Sequence, residues 1–358
     1  MPDNIDALRW KIEEVDNEIM SLIGQRMRLA KQMGQHKVGK AVPVRNLRVE
    51  DQVVARYVSR AKEADITEAA AKRIAHILIR ESVDAQFRLP RPVEAKRVTV
   101  IGGSGKMGSW LCHFLSSRGH KVLVQDVVSS TKFPFENDLK RAVYNADIII
   151  LATPIVKTGE MLDKVMALKP KGVVFDIASI KTPIQERLQA AVKKGYKVCS
   201  VHPMFGPEVE SLLERNVVIC DCGSKEAVKE AHYLFDGAGA DVVDIPLAEH
   251  DPLIAYVLVM SHATNIAFFS ALANSGLPHD DLDRVSSTTF EKQECTARAV
   301  ARENPELYYE IQHLHPETEK VLCLLADALK ELTEAAKAED SGQFVNIMEK
   351  GREYYGED

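Results

Sequence analysis

His202 stands in the run VCSVHPMFGPE (198–208), where an alternating apolar stretch gives way to Pro, Phe, Gly and Glu. The strand read there ends at Val201, so His202 lies at a strand's C-terminal edge. In an open α/β sheet, ligands bind beside those edges. An imidazole near its free pKa can accept or give a proton at neutral pH. A lone histidine at a strand end could equally be structural, so its surroundings decide.

Upstream, RVTVI (97–101) runs into Gly102-Gly103-Ser104-Gly105-Lys106-Met107-Gly108. Gly103, Gly105 and Gly108 fit G-x-G-x-x-G, with a predicted strand before and a predicted helix after. Such glycines let backbone N–H groups approach a pyrophosphate at the helix N-terminus. Gly102, Gly103, Gly105, Lys106, Met107 and Gly108 are therefore expected cofactor contacts. Thr153, just beyond the run DIIILA (147–152), is another. Asp126 ends the next strand, KVLVQD. It would accept from both ribose hydroxyls and repel a 2′-phosphate, so NAD is expected rather than NADP.

A second set of polar residues is threaded through a helical pattern near the N-terminus: Arg9, Arg26, Lys37, Asn46, Glu50, Ser82 and Gln86. Arg26 and Lys37, 11 residues apart, are separated by about 1,100° and share a helix face. Asn46/Glu50 and Ser82/Gln86 are i,i+4 pairs. Three helices could thus aim one polar stripe each at a common pocket. Arg9 lies 17 residues before Arg26, roughly 25 Å along a straight helix at ~1.5 Å per residue. One small dicarboxylate does not reach both, so Arg9 is expected to serve a pocket in a second chain, with two equivalent pockets in a symmetric pair.

These residues need elements to hold them. Ile5, Leu8, Ile12, Val15, Ile19, Leu22, Ile23 and Ala30 predict a helix to about Lys37, capped by Asp3 or Asn4. A second helix is expected from about Arg45 to Ala64, and a third, capped by Thr67, to about Phe87. The stretch LPRPVEAK (89–96) reads as a linker. Six β-rich runs follow (97–101, 121–126, 147–152, 172–177, 197–201, 216–221), most separated by helical patterns, which predicts a parallel sheet covered on both faces. Beyond Pro246 the pattern is helical, four or five helices with breaks near 276–278, 304–305 and 315–316. The expected architecture is multidomain: an all-α domain (1–89), a linker (90–96), a Rossmann-type α/β domain (97–246) and an all-α domain (247–358).

Composition narrows the function classes. The 358 residues carry 46 Lys+Arg against 52 Asp+Glu, net charge -6, so no basic excess points to nucleic acid. The longest apolar runs, such as Ile148–Ala152 and Leu253–Met260, fall short of the ~18–20 residues of a membrane span. The start MPDNIDALRW has no basic-then-apolar leader, so a cytoplasmic protein is expected. Six scattered cysteines lack a C-x-x-C pair and read as small apolar residues.

The strip HPMFGPE, with GGSGKMG upstream and Ala248-Glu249-His250-Asp251 downstream, resembles prephenate dehydrogenase over roughly residues 97–355. The resemblance implies NAD-dependent oxidative decarboxylation of prephenate to 4-hydroxyphenylpyruvate. His202 would deprotonate the ring hydroxyl, Ser179 would hold that hydroxyl and orient His202, and Glu208 would line the pocket entrance. His250 and His262 match family positions near the nicotinamide and the substrate. The family places a carboxylate-binding arginine six residues before the proline of a segment like Asn304-Pro305-Glu306-Leu307-Tyr308. Here Ala299 stands at six, Arg298 at seven and Arg302 at three; Arg298 is the expected binder.

The N-terminal stretches LRWKIEEVDNEI (8–19), RMRLAKQMGQHK (26–37), PVRNLRVED (43–51) and ESVDAQ (81–86) resemble the all-helical chorismate mutases. By that resemblance a partner chain's Arg9 and Arg26 clamp the substrate carboxylates. Lys37 and Gln86 bind the ether oxygen, and Glu50 the ring hydroxyl, with Asn46 and Ser82 beside them. The family often has Asp at Asn46 and arginine at Val49. The two resemblances together imply a homodimeric enzyme that makes prephenate from chorismate and then oxidises it towards tyrosine. The alternative is a dehydrogenase alone, acting on prephenate, arogenate or a β-hydroxyacid, with the first helices as a dimerisation module.

Overall fold

The computed structural model describes residues 5–38, 40, 42–89, 94–129 and 132–356. Helix α1 (Ile5–Lys37) is followed by α2 (Leu47–Arg60) and α3 (Glu68–Phe87). The expected cap at Asp3 or Asn4 and the prolines of the linker fall outside the described residues. Thr67 caps α3 by accepting from Ala70 N at 3.1 Å, as its position suggested. Asn46 caps α2, its Oδ1 accepting from Val49 N at 3.3 Å. That helix is shorter at both ends than the 45–64 expected.

All six expected strands form: β1 (Arg97–Ile101), β2 (Lys121–Gln125), β3 (Ile148–Leu151), β4 (Val173–Asp176), β5 (Val198–Pro203) and β6 (Asn216–Asp221). A seventh, β7 (Asp241–Pro246), was not read from the sequence. It is an exposed edge strand whose two aspartates and terminal proline hide its β pattern. The sheet order is β2-β1-β3-β4-β5-β6-β7. Strands β1 to β5 are mutually parallel, but β6 runs antiparallel to β5. The wholly parallel sheet expected is thus corrected at this pair. The physical reason is that the 204–215 connection contains no helix, so the chain returns beside the strand it has just left.

Strand residues alternate between two cores. Val98 and Val100 join Leu111, Cys112 and Leu115 of α4 (Lys106–Ser117) on one face. Ile101, Ile149 and Leu151 face the other core. There they meet α6 (Ile155–Ala167) and α7 (Gln185–Lys193). Short α5 (Leu139–Tyr144) and α8 (Lys225–Phe235) complete the cover.

The second core also takes in the C-terminal helices through Leu247, Ala255, Val259, Ile311 and Val321. Those helices are α9 (Leu247–Ile254), a π-helical turn at Ala255–Met260, α10 (Ser261–Asn274), α11 (His279–Arg284), α12 (Thr288–Ala301), α13 (Pro305–Leu314), α14 (Thr318–Lys337) and α15 (Gly342–Tyr355). The structure keeps the expected breaks and adds others at 285–287 and 338–341. The continuous helical stretch Leu247–Asn274 is long and apolar enough to cross a membrane, which apolar runs alone did not suggest. It buries His250, Asp251, His262 and Asn265, so one side serves a polar site.

Because β1 to β5 are parallel, their C-terminal ends share one edge. Beneath it Lys181 is fully buried, and its three N–H groups are all used: Asp176 Oδ1 at 2.9 Å, Ala178 O at 2.6 Å and Val201 O at 2.9 Å. Ser200 Oγ donates to the other oxygen of Asp176 at 2.6 Å. A buried pair of this kind is costly to break from one side, since the remaining charge is left without a counter-charge. Lys181→Met is expected to lose about 3–5 kcal/mol, measured as a lower urea midpoint. An unchanged midpoint would show that Asp176 does not depend on the ammonium.

Candidate functional site

At the sheet edge, Gly102 adopts φ +86 and turns the chain from β1 towards α4. A Cβ on Gly108 would lie 2.1 Å from Gly102 O, and one on Gly103 would lie 2.9 Å from Val124. These positions admit only glycine if helix and strand are to meet this closely. Gly105 is the N-cap of α4, and Lys106 and Met107 open its first turn. Asp126, half-buried just beyond β2, accepts from Ser104 N at 2.9 Å and from Val127 N at 2.7 Å. Its carboxylate therefore lies against the glycine loop, where a ribose beside a loop-bound pyrophosphate would be. Thr153 follows β3, and its hydroxyl bonds that of Thr158 at 3.0 Å. Loop, helix N-terminus and carboxylate fit a dinucleotide.

His202 lies in the last turn-out of β5 and is buried. Its Nδ1 is 2.9 Å from His250 Nε2, and His250 Nδ1 is 2.6 Å from Asp251 Oδ1. Asp251 also accepts from Lys181 N (2.9 and 3.2 Å), Thr182 N (2.7 Å) and Thr182 Oγ1 (2.5 Å). Burial opposes its charge, but these donors outweigh burial and hold it below the usual carboxylate range. Burial, together with the charge of Lys181, pushes His202 well below an ordinary imidazole, with Asp251 opposing. Burial likewise lowers His250.

Both rings are thus neutral at pH 7, and the tautomers follow. A carboxylate only accepts, so His250 Nδ1 carries its proton and its Nε2 is a lone pair. His202 must then donate from Nδ1. Among the described residues its Nε2 makes no hydrogen bond, which leaves that lone pair as the base.

Sequence reasoning placed His250 near a cofactor; the structure makes it the bridge between His202 and Asp251. Asp251 and Lys181 escaped notice, although the adjacency of His250 and Asp251 was a readable signal. Ser179 is half-buried in the turn after β4, and its hydroxyl makes no hydrogen bond among the described residues. Glu208 is exposed, its Oε2 beside Gly206. His262 stacks on Tyr308 with ring centroids 4.0 Å apart, and its buried Nδ1 has no partner. Burial lowers His262 to about 4 and raises Tyr308 to about 12. Arg298 is exposed and engaged by Glu294 at 2.6 Å and His279 at 2.9 Å. Among the described residues, Ser179, Glu208, His262 and Arg298 make no hydrogen bond to His202, whose ring partner is His250. Arg302 is the C-cap of α12.

A second constellation lies among the first helices. Arg26 donates to Ser82 Oγ and to Leu78 O. Burial lowers the pKa of Arg26. Gln86 is buried and donates from Nε2 to Ser82 O at 3.0 Å, while its Oε1 has no partner. Lys37 donates to Val44 O at 2.8 Å, and burial lowers its pKa. Lys37 and Gln86 line one cavity of about 520 Å³, together with Arg45 and Gly237. Arg26 lines a different cavity of about 510 Å³, with no lining residue in common with the first. Glu50 pairs with Arg45 at 3.2 Å. The Asn46 side chain caps α2. Arg9 is exposed, bonded to Asp6 at 3.2 Å on its own helix, and touches none of the other residues of this set.

The family models divide the chain as the geometry does. The model for chorismate mutase type II matches residues 8–87. Those for the nucleotide-binding and dimerization domains of prephenate dehydrogenase match 120–244 and 246–350. The nucleotide-binding match begins after the glycine loop, which the fold supplies. An arogenate/prephenate dehydrogenase relative from Methanocaldococcus jannaschii is 28% identical over 72% of this chain, and the chain spans 61% of that protein's length. A T-protein from Haemophilus influenzae is 24% identical, covering 98% of this chain and 92% of its own. Prephenate dehydrogenase from A. aeolicus, solved with hydroxyphenyl propionate and NAD+, has a TM-score of 0.61 at 19% identity over 75% of this chain and 99% of its own, a likeness of fold.

The fold and site define a dehydrogenase with a dinucleotide-binding domain, joined to a helical mutase domain. The chain belongs to the prephenate dehydrogenase family and carries a chorismate mutase type II domain ahead of it.

Gly108→Ala is expected to weaken NADH binding at least about tenfold, since the added methyl meets a backbone oxygen of the phosphate loop. A fluorescence titration reads the loss. Wild-type affinity would mean that the loop does not hold the pyrophosphate.

Proposed function

We propose that the helical domain (1–89) rearranges chorismate to prephenate, and that residues 97–246 and 247–358 oxidise prephenate to 4-hydroxyphenylpyruvate and carbon dioxide. The observation that carries the second half is the Asp251–His250–His202 chain of hydrogen bonds. It leaves His202 Nε2 without a hydrogen bond among the described residues, near the C-terminal end of β5. NAD, when bound, accepts the hydride that leaves the substrate ring. Asp126 favours NAD over its 2′-phosphorylated form by charge.

His202 takes the proton of the ring hydroxyl at Nε2. The imidazolium formed is stabilised through Nδ1–H to His250 and, beyond it, by the fixed anion Asp251. Ser179 supplies a free hydroxyl to the same oxygen. His262, stacked on Tyr308, offers a buried unpaired nitrogen to the substrate. Arg298 and Glu208 are assigned to the pocket mouth by family position.

In the mutase domain no nucleophile or cofactor is required. The chain's task is to hold the folded conformer and stabilise charge on the ether oxygen. Lys37 and the second N–H of Gln86 are assigned to that oxygen. Arg26, steadied by Ser82, meets one carboxylate, and Glu50 meets the ring hydroxyl.

The other carboxylate falls to Arg9 of a second chain, which implies a homodimer. Exposed Leu8, Ile12, Val15, Ile19 and Leu22 on α1 support that reading. They alternate spacings of four and three, the seam of a helix pair.

Asp251→Asn tests the relay. The new amide would donate to His250 Nδ1, forcing a proton onto His250 Nε2, and His202 would then carry its own proton on Nε2. Dehydrogenase kcat should fall about 10²–10⁴-fold, with mutase turnover retained. Unaltered kcat would remove the relay from the mechanism.

The pH profile follows from the lowered His202 pKa. The base is lost only when Nε2 protonates, so the acid limb of dehydrogenase kcat/KM should lie below pH 6.5. A limb above that value would contradict the burial.

Lys37→Ala should cost mutase turnover on the order of 10²–10³, while prephenate oxidation continues. Chorismate consumption followed without NAD measures it.

A further inference from the structure

The segment after β5 does more than carry Glu208. At 211–215 it runs along α2 and α3, where Ser211 donates to Asp84 and Leu213 packs on Ile79 and Val83. The next residue, Glu214, places Oε1 3.7 Å from the Arg45 guanidinium. On its other side, Arg45 Nε lies 3.2 and 3.3 Å from the two carboxylate oxygens of Glu50. One arginine on the wall of the mutase cavity is therefore gripped by a carboxylate from each of two domains.

The backbone at Glu214 is unusual. Its φ is +61, the left-handed region where glycine or asparagine fits with less strain. A glutamate at that position brings nothing to the turn itself. What it brings is a charge at Arg45. Without it, the half-exposed Arg45 would be held by Glu50 alone, from one side. With it, the guanidinium is pinned from both sides and the Glu50 carboxylate is held at one angle.

We propose that Glu214, a residue of the nucleotide-binding domain, is a positioning residue of the mutase site, acting through Arg45 on Glu50. The inference rests on the mutase reading above and extends it: the same chain's dehydrogenase half completes the mutase pocket.

An ion pair this exposed contributes little to folding, so its effect belongs in substrate recognition. The full-length chain with Glu214→Asn or Glu214→Gln tests this. Mutase kcat/KM for chorismate should drop about two- to fivefold, carried mainly by KM, while prephenate oxidation stays at the wild-type rate. Glu214→Asn should melt no lower than wild type, because asparagine relieves the left-handed backbone. A residue that served only the turn would leave the mutase constants alone. In an Arg45→Ala background, Glu214→Asn should change nothing further. Wild-type mutase constants in both variants, or a full loss that persists without Arg45, would overturn the proposal. If the unmodified chain leaves chorismate unconverted, the mutase reading itself falls, a different result from the same assay.

Discussion

The Asp251 carboxylate is the interaction on which the dehydrogenase half depends. It sits in α9 yet accepts from Lys181 and Thr182, which follow β4, and from His250 beside it. One side chain thus staples the C-terminal helices to the catalytic edge of the sheet. A buried anion would ordinarily be unfavourable, and here its donors reverse the balance. Once Asp251 is fixed as an acceptor, no freedom remains downstream: each ring in turn has only one nitrogen left to donate from. The geometry of packing and the protonation state of the base are set by the same atom.

The two sites meet different demands. Removing a proton needs one lone pair aimed in one direction, and a rigid relay on a sheet edge supplies it. A pericyclic rearrangement needs donors converging from several sides on a folded substrate. Crossing helices can do that: Lys37 of α1 and Gln86 of α3 line one cavity, and Arg26 of α1 lines another. Arg9 lies on a length of α1 whose apolar side chains Leu8, Ile12, Val15 and Ile19 are exposed among the described residues. An apolar seam and an exposed cation stand at the same end of one helix, and the proposed second copy would account for both.

Much of this was legible in the residues. Glycine spacing announced the phosphate loop because only glycine survives such close approach, and the strip ending in HPMFGPE announced the strand edge. Helical periodicity brought out Ser82 and Gln86 as one stripe, which Arg26 and the 520 Å³ cavity now bear on. What stayed hidden depended on contacts distant in sequence. Lys181 reads as a surface lysine until β4 and β5 close over it. Asn46 reads as a pocket residue, yet its side chain is committed to the start of α2, a competition between cap and ligand that spacing does not reveal. Arg45 was passed over because its significance comes from Glu214, 169 residues away.

The reversal at β6 explains how one segment reaches both sites. A parallel β6 would require a crossover that carries the chain from the C-terminal edge back to the N-terminal edge before the strand begins. The antiparallel pairing keeps residues 204–215 at the catalytic edge throughout. Since β7 is parallel to β6, it too begins at that edge, and the turn before it brings Gly237 to the mutase cavity. Two turns on one edge therefore form the surface on which α2 and α3 rest. The helical domain lies at the catalytic end of the sheet, because only there does this topology leave loops long enough to hold it.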